Sequence, residues 1–306
     1  MDDVVVQGQS LTNVKRPLCL QRWLHAATAL LALSGVAFVA LKIKEHAGQI
    51  DISGFSADTW SLLIVLALVY GGANVLLARA WWNLLKQHKL QVPWQWALKT
   101  YGVSQINKYI PGNIFHLAGR QAIGMAAGLG AQPLARCSLW ELMLIAAIGG
   151  VFGILAAPLQ WHQVSLGMAI GLWALAMTVS IALLRNLGAH SLSRALGWQA
   201  GFLWISSVVF MVVLKLMAPA DALQSPEWPI LWGAYILAWL AGLLSPGAPA
   251  GVGVREAVLL LLLSGHFAQA DLLLAVVVGR VITASGDLLF YLYALTLRAQ
   301  HAVIND

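Results

Sequence analysis

Two helix breaks inside apolar sequence constrain this chain more than any other feature. Pro111 to Arg120 and Pro246 to Arg255 each open on a Pro-Gly pair and continue through a glycine-containing link. Each puts an arginine nine residues after the proline. Proline removes a backbone donor and clashes with the preceding turn, and glycine relieves the backbone at the bend. Inside a membrane such a break is tolerated only where the backbone is buried in protein or lines a wet cavity. A broken hydrophobic segment in each half of a chain points to a transporter's binding site. Two arginines placed alike therefore suggest one shared site.

Such breaks carry this meaning only inside a membrane, and the composition is that of a membrane chain. The 306 residues are 60% hydrophobic and 10% charged, with a mean hydropathy of +0.77, outside the range of soluble domains. Long unalternating runs of Leu, Ala and Val exclude a β-barrel, which needs period-two alternation. The formal charge of +6 is carried beside hydrophobic spans, where loop bias and anionic lipid explain it better than nucleic acid does. Cys19 and Cys137 form no framework, and the histidines have no metal-ligand spacing. No metal or cofactor is expected.

Read in order, a polar segment (1–22) with Lys15, Arg16 and Arg22 precedes an apolar run, Trp23 to Leu41, too long for a signal peptide. It is expected to be a retained first span with a cytoplasmic N-terminus. A second span, Thr59 to Trp81, returns inward. From Arg79 to Arg136 there are seven basic residues and no acidic one, which assigns the stretch a cytoplasmic approach. Within it, Val92 to Ile110 and Asn113 to Leu129 are each too short or too polar to cross alone, and they read as a re-entrant hairpin (92–129) turning at Pro111 and Gly112. Further spans are expected at 134–157, 164–184, 198–217 and 271–297. Between the last two, a second hairpin (228–265) turns across Pro246, Gly247, Gly251 and Gly253. Its returning limb, Val254 to Gly265, is about 18 Å of helix and too short to span. The tail 299–306 is expected in the cytoplasm. The fold class is thus an all-α polytopic membrane protein of about six full transmembrane helices plus two re-entrant hairpins in an inverted-repeat arrangement.

At Lys108 to Gly112, His116 to Arg120, Glu141, Pro246 to Gly247 and Gly251 to Ala257, the chain resembles the flippase-like membrane domain of the lysylphosphatidylglycerol synthase family, and Arg280 fits the same pattern. The likeness covers most of 23–298, read as one domain. It departs from the family's Pro-Gly-Gly-x-Gly at Ala248 to Ala250. The resemblance implies movement of a lipid with a polar or charged headgroup between leaflets of a bacterial inner membrane, or handling of polyprenyl-phosphate carriers beside a transferase. With no soluble synthetase domain after residue 306, aminoacyl transfer is expected to lie outside this chain.

The candidate site residues follow from charge inside apolar sequence, which is expensive and by default functional. Arg120, Arg255 and Arg280 are candidate phosphate contacts, since a guanidinium offers phosphate a planar fork and a half-helix after each break points its N-terminus at the same anion. Their alternative role is pairing with buried carboxylates. Glu141, Glu256 and Asp287 are candidate counter-charges or proton carriers, and Glu141 or Asp287 is the expected partner of Arg120 or Arg255. Arg280, Thr283 and Asp287 share one helix face, looking into the bundle and open to a structural Arg280–Asp287 link. Lys108 either joins the site or snorkels to the surface, and His116 either joins it or packs as a hydrogen-bonded core residue. Asn107 and Asn113 could satisfy the free backbone of the first bend. Gly251 and Gly253 do not make a dinucleotide fingerprint, because no strand precedes them.

The leading expectation is a carrier for a phosphate-containing lipid, phospholipid or polyprenyl-phosphate-linked. A transferase using a polyprenyl-phosphate donor, with Glu141 or Glu256 as base, is the enzyme rival, although no complete catalytic constellation is visible. A third class is a membrane subunit for a separately encoded synthetase or glycosyltransferase. A second copy of the chain is a further candidate partner.

Overall fold

The computed structural model describes residues 56–109, 115–218, 226–245 and 251–298. The expected first span (23–41), the turn residues Pro111, Gly112, Pro246 and Gly247, and both terminal tails lie outside the described residues.

All regular structure in the described residues is helical. Five helical stretches are long and apolar enough to cross a membrane. They are α1 (Ala57–Gln87), α4 (Ala131–Gly153, extended to Gln160 by a 3-10 turn and a final helical turn), α5 (Leu166–Asn186), α6 (His190–Met217) and α9 (Gln269–Thr296). Four shorter helices complete the described chain: α2 (Trp94–Gln105), α3 (Phe115–Ala126), α7 (Trp228–Leu244) and α8 (Val254–Leu263). A 3-10 turn, Ile106–Tyr109, extends α2.

Local chemistry sets where these helices begin. The Ser56 side chain accepts the Thr59 N–H and Asp58 sits in the first turn of α1, while Ser165 does the same for Met168 at the start of α5. Both arrangements satisfy a donor that the first turn would otherwise leave orphaned. α7 opens on Pro229, whose missing N–H costs nothing there.

The distribution of apolar side chains is that of a membrane-embedded protein. Leu172, Leu175, Val179 and Leu183 of α5 face outward, and Ala169 is its one buried residue. A soluble protein would not expose such a face. The interior is built on α1, which packs against α6 and α9. Trp81, Leu84 and Leu85 of α1 are buried with Phe202, Leu203, Met211 and Leu214 of α6. Asn74 of α1 is fully buried among them, a polar position that matters below.

Helices α1 and α9 meet through two glycines. A Cβ on Gly286 would stand 2.7 Å from the Ala67 carbonyl and 2.9 Å from the Gly71 nitrogen. Without side chains there, the two backbones come into direct contact, as small residues allow in membrane bundles.

The two short-helix pairs fold back on themselves in a similar way. In the first, Gly119 of α3 lies where a Cβ would meet the Asn107 amide at 2.7 Å. In the second, a Cβ on Gly251 would stand 2.6 Å from the Gly242 Cα. Gly251 and Gly253 adopt φ of +72° and +86°, the left-handed region that favours glycine. This is the local reason for glycine on both sides of Val252.

The helices outrun the apolar runs that announce them. α1 continues to Gln87 rather than stopping at Trp81, and α6 starts at His190 rather than Trp198. Hydropathy marks the apolar portion, whereas hydrogen bonding carries a helix on through polar turns.

Candidate functional site

A cavity of roughly 100 Å³ lies where α1, the two short-helix pairs, α4, α6 and α9 converge. Six of its lining residues are ionisable candidates from the sequence: Lys108, His116, Glu141, Arg255, Arg280 and Asp287. They come from the 3-10 turn after α2, from α3, α4 and α8, and two from α9. Tyr101, Tyr109, Gln105 and Thr283 add hydroxyls and an amide. Apolar walls from Leu77, Phe202 and Trp239 give the surroundings of a desolvated binding site.

Arg120 and Glu256 are not on this wall; each stands behind it. Arg120 is 1% exposed and donates from Nη1 to both oxygens of Glu141 at 2.8 Å. Its guanidinium also lies 4.2 Å from the Tyr101 ring centre, and the Tyr101 hydroxyl donates to Glu141 at 3.1 Å. The backbone carbonyl of Glu141 in turn accepts from Gln199 at 3.1 Å. Arg120 thereby ties α3 to α4, and Glu141 alone of this pair reaches the cavity.

Asp287 is fully buried and held from three directions. Lys108 approaches its Oδ2 at 2.6 Å and Tyr109 donates to the same oxygen at 2.5 Å. Asn74 donates to Oδ1 at 3.2 Å, and Gln105 donates to the Asn74 carbonyl oxygen at 3.4 Å. Lys108 therefore turns inward to α9 instead of reaching for the surface, and its side chain is 17% exposed.

Arg280 is one-fifth exposed at its side chain and donates from Nε to Glu256 Oε1 at 2.7 Å. Its Nη2 donates to the Gly251 carbonyl at 2.9 Å. The other Glu256 oxygen accepts the Gly253 N–H at 2.7 Å. The carboxylate thus caps the first turn of α8 and fixes α9 to it, with its negative charge on the favourable end of the helix. Arg280 and Asp287 share a face without a direct link, because each has a nearer partner on another element.

Arg255 differs from the other three cations. It has no ion pair among the described residues, its buried Nε has no hydrogen-bond partner, and its guanidinium lies 5.9 Å from the centre of the Tyr235 ring. With Arg280 it also lines a small adjoining cavity beside Tyr235, Ser206 and Thr283. Around this site Lys108, Arg120 and Arg280 are matched by Asp287, Glu141 and Glu256. Among the described residues, Arg255 remains as one positive charge in excess. His116, 8% exposed, presents an Nδ1 that also lacks a partner.

The sequence pointed to eight ionisable residues here, and the structure brings them into one connected cluster. It missed Asn74, Tyr101 and Tyr109, which hold the carboxylates, and Gln105, which holds Asn74. Asn74 carried a signal, an amide in the middle of an apolar run. Tyr109 stood inside the Lys108 to Gly112 motif, but Tyr101 carried no signal, since aromatic residues in a membrane chain are usually packing or interface anchors.

No family model matches the chain, and no curated protein matches it.

Proposed function

We propose that this chain is a carrier that moves a lipid with a phosphate-containing headgroup between the leaflets of a bacterial inner membrane. The observation that supports it is Arg255: a cation on a cavity wall, without an ion pair among the described residues, within a cluster whose other charges are matched. Arg255 is half-buried with its Nε out of reach of water, and holding even part of a charge from water carries a cost. An anion about 4 Å away returns about 4 kcal/mol at the effective dielectric typical of protein sites. A guanidinium offers phosphate paired donors. The ligand supplies the missing charge.

In this proposal the α2–α3 and α7–α8 pairs are re-entrant hairpins entering from opposite faces, related as inverted repeats, with both termini cytoplasmic. The resemblance of the two Pro-Gly segments to the lysylphosphatidylglycerol synthase membrane domain agrees with it. Lys108 and Arg280 are the second and third phosphate contacts, released in part from Asp287 and Glu256 as the headgroup enters. Arg120 positions Glu141.

The test is transport of fluorescent phospholipids across vesicles containing the purified chain. Transport by the native chain, lost in Arg255→Ala with helicity and thermal unfolding intact, is the expected result. Equal transport by native and Arg255→Ala protein would refute the site.

A further inference from the structure

We infer that the headgroup bound at this site is a net-anionic phosphate without an ammonium group. This rests on the carrier reading above and narrows its substrate class. An ammonium has three donors and no acceptor, so a protein receives it with carboxylate or carbonyl oxygens. All three carboxylates of the cluster are already engaged. Both Glu141 oxygens accept from Arg120, and Oε1 also accepts from Tyr101. Asp287 takes Lys108 and Tyr109 on one oxygen and Asn74 on the other. Glu256 divides its oxygens between Arg280 and the Gly253 N–H.

Gln105 Oε1, a cavity-lining acceptor without a partner among the described residues, is neutral, so a cationic or zwitterionic headgroup gains a counter-charge from the protein only by taking one of these carboxylates from its partner. That would strand a cation beside Arg255, and a net-cationic headgroup would also raise the local excess of positive charge. An anion offsets Arg255, and where it draws Lys108 or Arg280 partly from Asp287 or Glu256 it brings a negative charge of its own to them. The segments joining the two helices of each pair, 110–114 and 246–250, contain no ionisable residue, so neither supplies a further carboxylate.

The experiment is equilibrium binding to the full chain in non-ionic detergent, with four short-chain lipids and inorganic phosphate. The lipids are phosphatidic acid, phosphatidylglycerol, phosphatidylethanolamine and lysylphosphatidylglycerol. Expected is binding of the two anionic lipids at least tenfold tighter than of the two amine-bearing ones. Arg255→Gln, which keeps the side chain's bulk, should abolish the difference, and Arg255→Lys should restore part of it. Amine-bearing lipids binding as tightly as phosphatidylglycerol would overturn the inference. So would inorganic phosphate competing as well as phosphatidic acid, because the occupant would then be a soluble anion. Native protein that transports labelled lipid but prefers lysylphosphatidylglycerol would sink this inference alone. Native protein that binds phosphatidic acid yet transports no lipid would sink the carrier reading and leave the charge preference standing.

Discussion

Neutralising Glu141 strands a guanidinium that is 1% exposed. Glu141→Gln is therefore expected to lower stability by about 3–5 kcal/mol, the cost of leaving one partner of a buried pair uncompensated. A matching fall in the thermal midpoint in detergent would show it. The double variant Arg120→Met, Glu141→Leu should recover most of that loss, since it removes both charges. A double variant as unstable as Glu141→Gln would mean that the pair specifies the fold by more than its charge. Arg255→Ala should behave oppositely, with an unchanged or higher thermal midpoint, because it removes a cation without an ion pair among the described residues. These two arginines occupy equivalent positions in the sequence, nine residues after the proline of a Pro-Gly pair. Spacing placed both at the site but could not separate their roles. The difference is made by partners on distant elements: Glu141 lies 21 residues from Arg120, whereas Glu256, next to Arg255 in the chain, is drawn away by Arg280 and by the cap of α8.

At the level of elements, the α1–α9 crossing decides whether Asp287 reaches Asn74 and Lys108. Gly286→Ala puts a methyl 2.7 Å from the Ala67 carbonyl, so the helices must part. Overpacking of this kind costs about 1–3 kcal/mol. The same shift should weaken lipid binding, since Asp287 follows Gly286 directly. Gly72→Ala, one position from the contact and with nothing within 4 Å, should be neutral or stabilising by up to about 1 kcal/mol through helix propensity. Thermal unfolding of the two variants side by side checks this; equal effects would mean that the crossing is not close-packed. The long helices were legible because sustained apolar runs have few alternatives. Their polar ends were not, as the starts of α6 at His190 and α4 at Ala131 show. The glycine contact was hidden too, since Gly71, Gly72 and Gly286 look alike in sequence and only the packing separates them.

For the molecule as a whole, helix length and charge together predict its orientation. From Ala131 the α4 stretch runs to Gln160, 30 residues, and α5 runs for 21, or about 45 Å and 32 Å at 1.5 Å per residue. Both exceed the roughly 30 Å hydrocarbon core. Exposed Lys89 and Asn186 should therefore lie on one membrane face and exposed Gln163 on the other. The run of basic residues from Arg79 to Arg136 assigns the first face to the cytoplasm, because Lys and Arg beside spans are retained there. The natural background suits a labelling test once Cys19 is replaced by Ser, since Cys137 is buried with its Sγ 3.4 Å from the Leu84 carbonyl. In intact cells a membrane-impermeant maleimide should label Gln163→Cys, while Lys89→Cys and Asn186→Cys should react only after the membrane is opened. The reverse pattern would invert the proposed orientation. Labelling of all three from one side would contradict the crossing of α4 and α5, and with it the placement of the Arg255 cavity between two leaflets.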